Sequence, residues 1–533
     1  MSGGADRGWL AIIKKLLLPD LAQGGSTLKF GGCDRAALLP ILRLATILLT
    51  TWLTASSSHA EDWSTASLNA QRNAFSSERV DPSRLTAAWT YRSSNPPSPA
   101  WHGPAKWDAY NNVRMHSMRN YDEVFQPITA GQDVFFGSSV DDSVTCLDAA
   151  SGEEKWSFFT DGPIRIAPSF NAGKLYFGSD DGYAYCIRAS DGELVWKFRP
   201  QDPARLVLNN GRFIPLLPIR SGVTVDDGIA YFAASLLPWE ESYLCAVDAE
   251  TGAAEGTNLF VHKLENMTFE GPLAISPRLL IAPQGRVPPV LFSRRSGKQL
   301  GALEGGGGSF VVVLPNSEVV HGPGSKAGEV NFSSTESREK LATHNNARTL
   351  VLNDEHTFIL AKNSIGAIDK LTNKETWRTP CVDGLSLIGV GTTLFVGKPN
   401  RVEAYSTEDG SLQWASPIEG KAFGLSFAQN KLLVSTDLGI INAFSPTASA
   451  SDVAALVPEQ KSPSLPLDTA ELVDINSEVG KGLLGRWVFQ QPFVRGFSAE
   501  NLAGGLPASI EGVVETVRVG KHTAIVLAAS DTS

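Results

Sequence analysis

The sequence predicts an all-β protein, an eight-bladed β-propeller of four-stranded antiparallel blades, and composition and repetition both support this prediction. Charged residues make up only 19 % of the 533 residues, aromatic residues reach 9 %, and glycine and proline are plentiful at 49 and 31. Such a mixture favours short strands joined by turns. A unit of about 40 residues also recurs along the chain, as expected for propeller blades.

The repeat is clearest in DVFFGSSVDDSVTCLDAASGEEKWSF (133–158) and KLYFGSDDGYAYCIRASDGELVWKF (174–198). Each copy has an inner strand ending in glycine, a hairpin with paired aspartates, and an outer strand containing tryptophan. A third copy spans 229–252, and weaker copies occupy 288–303, 328–342, 366–377, 401–414 and 439–446. The turns that mark the eight predicted blades fall at Gly152, Gly192, Gly252, Gly297, about Arg338, Lys374, Gly410 and about Pro446.

The outer-strand tryptophans are expected to pack between neighbouring blades as structural residues. These are Trp89, Trp156, Trp196, Trp377 and Trp414. The segment RLTAAWTYR (84–92) resembles an outer strand without a blade of its own. We therefore expect it to complete the last blade, 432–446, so that the ring closes without an exposed strand edge.

Four regions follow from the pattern: a signal peptide or N-terminal anchor (1–60), the propeller (84–446), a linker (447–483) and a partial β tail (484–533). The apolar stretch 36–53 is broken by Pro40 and Arg43, and the small residues before Glu61 suit cleavage after Ala60. An uncleaved anchor formed by 36–55 remains the alternative. The linker is rich in alanine, serine and proline.

The segments SDDGYAYCIRASDGELVWKF and YLCAVDAETG resemble the PQQ-type repeat. That repeat occurs in quinoprotein alcohol dehydrogenases and in the BamB-like scaffold of the outer-membrane assembly machinery. The resemblance spans 84–446 and implies the propeller fold more firmly than a function. The tail, in turn, resembles the opening strands of a laminin-G or concanavalin-like sandwich, and we expect the chain to be truncated within that sandwich.

A quinoprotein of this family implies a calcium ion held by carboxylate and amide oxygens, an aspartate base, a tryptophan beneath the quinone and usually a vicinal disulfide. The sequence has no adjacent cysteine pair and no segment that matches the catalytic blades. We therefore expect no catalytic residues, no metal site and no cofactor. PQQ with calcium in the central funnel is the alternative.

The cysteines and paired aspartates are interpreted as structural. Cys146, Cys186 and Cys245 occupy the position where the repeat normally has alanine, so we expect buried free thiols. The pairs Asp141-Asp142 and Asp180-Asp181 recur at a hairpin offset, which favours turn chemistry over calcium binding or acid–base catalysis.

Recognition is expected in two segments outside the repeat, 101–122 and 199–220, because propellers place specificity in loops on a rigid ring. The candidate residues are Trp101, His102, Trp107, Arg114, His116, Arg119, Arg205, Asn209, Arg212 and Arg220. If both segments cover one mouth of the ring, they form a polar pocket. The alternative is a pair of packed closing loops.

The function predicted from these features is that of an exported scaffold that binds or assembles protein partners in the periplasm or cell envelope. The net charge of −10, without a basic run, argues against nucleic-acid binding. Membrane contact is expected only through an uncleaved N-terminal segment. The alternatives are a PQQ-dependent oxidoreductase and, through the tail, carbohydrate binding.

Overall fold

The computed structural model describes residues 61–100, 122–201, 205–209, 212–285, 287–308, 310–316, 318–324 and 329–446, and five short strands between 487 and 526. The chain divides into two compact units, Met1–Val453 and Ala454–Ser533. Within the described residues, the strands are interrupted only by one 3-10 helix, Pro82–Arg84. The predicted all-β class is therefore confirmed.

Six four-stranded antiparallel sheets, which we call blades I to VI, each consist of four strands consecutive in the chain. Their strands are β3 (Ile128–Ala130), β4 (Asp133–Ser138), β5 (Ser143–Asp148) and β6 (Glu154–Phe159) in blade I; β7 (Ser169–Asn171), β8 (Lys174–Gly178), β9 (Ala184–Arg188) and β10 (Leu194–Phe198) in blade II; β13 (Thr224–Asp226), β14 (Ile229–Ala234), β15 (Ser242–Asp248) and β16 (Phe260–Leu264) in blade III; β17 (Ala274–Ile275), β18 (Leu279–Gln284), β19 (Val287–Ser293) and β20 (Gln299–Ala302) in blade IV; β21 (Phe310–Val313), β22 (Glu318–Gly324), β23 (Glu329–Ser334) and β24 (Lys340–His344) in blade V; and β25 (Ala347–Leu352), β26 (His356–Ala361), β27 (Ser364–Asp369) and β28 (Glu375–Pro380) in blade VI. The outer strands of the blades, such as β6 and β20, are mostly exposed or half-buried, whereas inner strands such as β5 and β14 are almost wholly buried.

A seven-stranded sheet follows blade VI, in the order β1-β29-β30-β31-β32-β33-β2. Its strands are β1 (Phe75–Ser76), β29 (Ser386–Val390), β30 (Thr393–Ser406), β31 (Leu412–Ala428), β32 (Lys431–Thr436), β33 (Ile440–Ser445) and β2 (Thr86–Arg92). The long strand β31 pairs with β30 up to Lys421 and with β32 from Ala422 onward. The two halves of this seven-stranded sheet correspond to the last two predicted blades. Because they share one sheet, the division of the ring into eight separate blades stays a prediction.

Strand β2 joins the beginning of the ring to its end. It pairs antiparallel with β33, from Thr86 opposite Ser445 to Arg92 opposite Ile440. The predicted pairing of 84–92 with the last repeat is therefore confirmed. The outer edge of β33 is thereby covered by a strand that lies more than 300 residues earlier in the chain, which is the ring closure expected of a propeller.

Outer-strand tryptophans pack against turn glycines of the next sheet. A Cβ atom at Gly152, Gly192, Gly252 or Gly410 would collide with the indole of Trp89, Trp156, Trp196 or Trp377, respectively. These glycines also have positive φ angles between 70° and 75°, so both the backbone conformation and the close approach require glycine. Three indole N–H groups, those of Trp89, Trp196 and Trp377, donate to the carbonyls of Ala149, Ala249 and Thr407.

The remaining turn positions follow the predicted spacing with one correction. Gly297 and Arg338 also have positive φ angles, of 62° and 66°. In blade VI the left-handed residue is Asn373, with φ 54°, and not Lys374. Asparagine tolerates this conformation better than lysine does, because its short polar side chain can bond locally.

A segment at the start of the described chain, residues 61–78, contains turns around Ser67, Leu68 and Arg72 and contacts the first strand of every blade. The Trp63 carbonyl accepts from Thr129 of blade I, the Gln71 carbonyl from Val313 of blade V, and the Ala74 carbonyl from Gly389 of the seven-stranded sheet. Because one short segment contacts strands of all these sheets, the first strands converge around a common axis. The sequence alone predicts no structural element for this segment.

All four described cysteines, Cys146, Cys186, Cys245 and Cys381, are buried and free, which confirms the prediction of free thiols. Cys146 and Cys186 lie opposite the tryptophans of their own blades, Trp156 and Trp196. Burial raises the pKa of both thiols to about 12. They are therefore small apolar groups of the blade interior, since nucleophilic cysteines require a lowered pKa.

Blade V has a polar pair where blade II has an aromatic one. In blade II, Phe177 lies opposite Tyr185 and stacks on it, with ring centroids 5.3 Å apart. In blade V, His321 lies opposite Asn331, and both side chains are completely buried. The Nε2 atom of His321 lies 3.0 Å from the hydroxyl of Ser333, and burial lowers the pKa of the imidazole to about 4.

The burial of His321 predicts a specific loss of stability in acid. Its imidazole takes up a proton in the unfolded chain below pH 6.5 but stays neutral in the folded chain down to about pH 4, so stability falls as the pH falls through this window. We expect a loss of about 2 kcal/mol between pH 7 and pH 5. Urea unfolding of His321→Phe should lack this part of the pH dependence, and an unchanged dependence in the variant would contradict the assignment.

The two remaining described elements are an inserted hairpin and the strands of the second unit. The hairpin consists of β11 (Leu206–Asn209) and β12 (Arg212–Pro215). The second unit contains β34 (Trp487–Val488), β35 (Ser498–Asn501), β36 (Ala508–Ser509), β37 (Glu515–Val519) and β38 (His522–Val526). They form a three-stranded and a two-stranded sheet. The assignment of these sheets to a β-sandwich stays a prediction. No described helix is long and apolar enough to cross a membrane, and the predicted anchor 36–55 lies outside the described residues.

Candidate functional site at the channel mouth

The channel around the common axis has two different ends. At one end, segment 61–78 bonds to the turns between first and second strands: Asp62 accepts from Gly131, and Glu78 accepts from Gln429 and Asn430. The opposite end, which we call the channel mouth, is formed by the loops that lead into the first strands. The described parts of the two non-repeat segments, Asp122 and residues 205–209 and 212–220, lie in the connections that lead into β3 and β13.

Two copies of Pro-Ile-Arg, at 163–165 and 218–220, build the mouth. In each copy the isoleucine packs against a glycine in the last two residues of an inner strand: Ile164 against Gly137 and Ile219 against Gly178. A Cβ on either glycine would collide with the isoleucine. The close approach fixes the loop, and the next residue in each copy is an arginine at the mouth.

Both arginines form bidentate ion pairs with buried aspartates. The Nε and Nη2 atoms of Arg165 each lie 3.2 Å from the carboxylate of Asp122. The same atoms of Arg220 lie 3.4 and 3.2 Å from the carboxylate of Asp180. The two aspartate side chains are only 2 % and 1 % exposed. Such forks fix the direction of the guanidinium groups.

The two ion pairs lie close enough to influence each other. Burial lowers the pKa of Arg220, the positive charge of Arg165 lowers it further, and the carboxylates of Asp180 and Glu270 oppose the change. The mouth is therefore a compact group of alternating charges in a poorly solvated place. Removal of any one charge leaves its neighbours without compensation.

The aspartates interpreted as turn residues do lie in turns, but they also carry other contacts. Asp181, next to Asp180, accepts hydrogen bonds from the Tyr185 hydroxyl at 2.6 Å and from the Tyr183 amide at 2.9 Å. Burial raises the pKa of its carboxyl group. In blade I, Asp141 accepts from Asn95 at 2.7 Å, which ties the hairpin of that blade to the chain leaving β2.

A shallow cleft lies beside the Asp122–Arg165 pair. Its volume is about 220 Å³, including space open to solvent, and its lining includes Pro97, Phe125, Gln126 and Ser139. The amide of Ala100 donates to Asp122 at 2.7 Å, so these two described residues, which are 22 positions apart in the chain, lie together at this cleft.

The inserted hairpin carries an exposed apolar surface. Leu206, Leu208 and Phe213 are 58 %, 68 % and 72 % exposed, and Leu208 lies directly opposite Phe213. Arg205, at the base of the hairpin, forms an ion pair of 3.2 Å with Glu240, whose neighbour Trp239 is 73 % exposed. We call Leu206, Leu208, Phe213 and Trp239 the apolar patch.

The structure describes four of the ten predicted recognition residues. Trp101, His102, Trp107, Arg114, His116 and Arg119 lie outside the described residues. Of the second segment, Arg220 lies at the mouth with its side chain 15 % exposed. Arg205 lies in an exposed ion pair, and Asn209 pairs with Arg212 across the hairpin, next to its tip. A polar pocket formed jointly by the two segments stays a prediction.

Sequence reasoning missed Arg165, Asp122 and the apolar patch. A signal for Arg165 was present, because the Pro-Ile-Arg motif of 163–165 recurs at 218–220 before the equivalent strand. The apolar patch was hidden because Leu206 and Leu208 alternate with other apolar residues, as they would in a buried strand.

The described mouth does not fit the calcium ion that a quinoprotein implies. Calcium requires several oxygen ligands with free lone pairs. Asp122 and Asp180 are each bound by an arginine fork, and the described residues contain no group of three or more histidine, cysteine, aspartate or glutamate side chains that could hold a metal. The five structural tryptophans lie in outer strands, away from the axis.

Known structures share the fold at low sequence identity. Quinohemoprotein alcohol dehydrogenase from Comamonas testosteroni superimposes with a TM-score of 0.55 at 12 % identity, covering 75 % of this chain and 82 % of that one. The enzyme ADHIIG from Pseudomonas putida HK5 gives 0.52 at 12 % identity, covering 73 % and 81 %. A europium-containing methanol dehydrogenase gives 0.51 at 10 % identity, covering 72 % and 98 %. At such identities these likenesses establish the propeller fold alone.

The family assignment comes from the sequence. No curated protein shows significant sequence similarity to the chain. The family model described as "Outer membrane protein assembly factor BamB" matches residues 107–256 and 140–416, which together cover more than half of the chain. This region contains blades I to VI and both copies of Pro-Ile-Arg. The chain therefore belongs to the BamB-like family of PQQ-repeat β-propellers.

Proposed function

We propose that this protein is an exported scaffold of the cell envelope that binds a partner protein through the apolar patch beside the channel mouth. The observation that carries the proposal is the hairpin β11–β12, which presents Leu206, Leu208 and Phe213 to solvent. Large exposed apolar side chains grouped on one surface are typical of protein–protein contacts. The description of the family as an outer membrane protein assembly factor supports the same function.

The structure of the hairpin suggests how the partner binds. The hairpin is a separate two-stranded sheet, so its strands offer unpaired backbone groups along their edges. A partner that contributes an extended strand would continue the sheet and cover Leu208 and Phe213, as in other cases of strand addition. The ion pair between Arg205 and Glu240 supports the base of the hairpin at 3.2 Å and would lie at the polar rim of this interface.

Site-specific photocrosslinking in cells tests the proposal. A photoreactive residue at 208 or 213 should yield an adduct with one envelope protein, and Leu208→Asp should lower the affinity of the purified pair at least tenfold. Phe159, which is 66 % exposed on the outer strand of blade I, provides the matched control position. Equal adducts at 159 and 208, or an unchanged affinity of Leu208→Asp, would overturn the proposal.

A second measurement separates the scaffold from the oxidoreductase alternative. The purified protein is titrated with PQQ and Ca²⁺ while the quinone spectrum and the melting temperature are recorded. We expect neither to change, because the carboxylates of the described mouth are bound by arginines. A stoichiometric shift of the quinone spectrum would favour a quinoprotein.

A further inference from the structure

We propose that residues 61–78 are a built-in peptide ligand of the channel end opposite the mouth, and that this segment binds only a closed ring. The proposal assigns a peptide-binding site to the first strands of the blades and is independent of the partner proposed above. Because the segment bonds to sheets from all parts of the ring, it also stabilises the closed ring.

The backbone contacts of the segment follow the ring, and the side chain of Arg72 reaches back to blade III. Trp63 and Ser64 accept from Thr129 of blade I and Phe170 of blade II. Further along, Ala70 accepts from Ile275 of blade IV and Gln71 from Val313 of blade V. The remaining contacts, listed by sheet, are Arg72 to Thr224 in blade III, Asn73 to Leu352 in blade VI, Ala74 to Gly389 and Ser76 to Gly391 in β29 and the turn after it, and Glu78 to Gln429 and Asn430 at the end of β31.

Arg72 anchors the middle of the segment. Its side chain is buried, and its guanidinium donates to the carbonyls of Leu273 and Ala66 and to the hydroxyls of Thr65 and Thr224. Two of these acceptors belong to different blades, so the arginine connects blades III and IV. A buried guanidinium is tolerated only where its donors are satisfied, and the site is therefore selective for an arginine at this position.

Two glycines of the ring leave space for the segment. Gly389 of β29 faces Phe75, whose ring would collide with a Cβ atom at that position, and Gly391 faces the Glu78 carbonyl. Phe75 pairs with Gly389 in parallel register. The backbone of Gly389 lies in an ordinary strand, so its glycine is explained by the space that Phe75 occupies and not by conformation.

The dependence on ring closure follows from the distances along the chain. The partners of residues 61–78 extend from Thr129 to Asn430, and they surround one axis only when the first and last sheets are joined. That joint is strand β2, which begins at Thr86, shortly after the segment ends. The same N-terminal stretch thus closes the ring with one part and occupies its channel with another.

A protease cut made after folding tests the proposal in the full chain. A cleavage site for a sequence-specific protease is inserted between Ser83 and Arg84, which are both exposed. After cleavage, the fragment containing 61–78 should remain bound during native size exclusion and separate only in denaturant. In the same cut protein, Arg72→Ala should weaken retention of the fragment at least a hundredfold.

Two results would overturn the proposal. One is release of the unmodified fragment from a ring that keeps its β-sheet circular dichroism. The other is equal retention of the unmodified and Arg72→Ala fragments. If the cut protein unfolds on cleavage, the fragment is still tested by adding a labelled peptide of residues 61–80 to the refolding ring, where failure to bind a ring that refolds without it also contradicts the proposal.

Hydrogen exchange in the uncut chain provides an independent measurement. Gly389→Val should expel Phe75 and increase exchange at the amides of Phe170, Ile275 and Val313, which bond to the segment in distant blades. The control is Gly366→Val in blade VI, where a Cβ atom would meet the Trp377 backbone and not the segment. Increased exchange confined to β29 would show that the segment does not bind as one unit.

Discussion

Replacement of Trp89 by alanine should lower the free energy of unfolding by about 3–5 kcal/mol, the usual cost of truncating a large buried aromatic side chain. Trp89 is 1 % exposed. Its indole N–H donates to the Ala149 carbonyl at 3.0 Å, and its ring covers Gly152 of blade I. It lies on β2, so its loss removes packing at the joint that closes the ring.

The effect is measured by urea unfolding, monitored by the circular dichroism of the backbone and not by tryptophan fluorescence. The control is Trp239→Ala, because Trp239 is 73 % exposed and should contribute less than about 0.5 kcal/mol. Trp196→Ala is a second comparison, since Trp196 makes the same contacts between two consecutive blades, with Gly252 and the Ala249 carbonyl. A loss at Trp89 no larger than that at Trp239 would show that this joint contributes little to stability.

These tryptophans could be found from the sequence because their positions repeat. A tryptophan in one copy and a turn glycine in the next are local features that recur at a nearly constant spacing, so each copy supports the others. The pairing of β2 with β33 was also predictable, because 84–92 has the pattern of an outer strand without a blade. Both features follow from sequence patterns and can be predicted without knowledge of individual contacts.

The segment 61–78 could not be found in this way. It has no repeat and no alternating pattern, and its hydrogen bonds join residues that lie as far apart as Glu78 and Asn430. Much of its binding uses backbone carbonyls, as at Trp63 and Gln71, and these carry no sequence signature. The mouth is an intermediate case, because the repeated Pro-Ile-Arg motif marked the arginines but not their partners Asp122 and Asp180.

The second large effect is expected at the Asp180–Arg220 pair. Arg220→Met should lower the free energy of unfolding by about 3–5 kcal/mol, because it removes the bidentate partner of a carboxylate that is 1 % exposed. Asp180→Leu should have a comparable cost, since it leaves the buried Arg220 beside the like charge of Arg165. The double variant should recover most of this loss, because an apolar pair of similar volume replaces a buried ion pair without an uncompensated charge.

A double-mutant cycle measures the coupling between the two residues, with the exposed pair Arg205–Glu240 as the matched control. For that pair, whose arginine is 59 % exposed, the coupling should be below about 1 kcal/mol. An additive result at Asp180 and Arg220 would mean that other groups at the mouth already compensate each charge.

The double variant also distinguishes a structural mouth from a recognition site. The double variant restores packing but removes the charges of Asp180 and Arg220 at the mouth, whereas the apolar patch on the hairpin is unchanged. If the photocrosslink at Leu208 persists in the folded double variant, the charges of the mouth hold the loops in place and the hairpin alone recognises the partner. If the crosslink disappears while stability is retained, partner binding also depends on the charges of the mouth, and the binding surface extends from the hairpin toward Arg220, whose side chain is 15 % exposed.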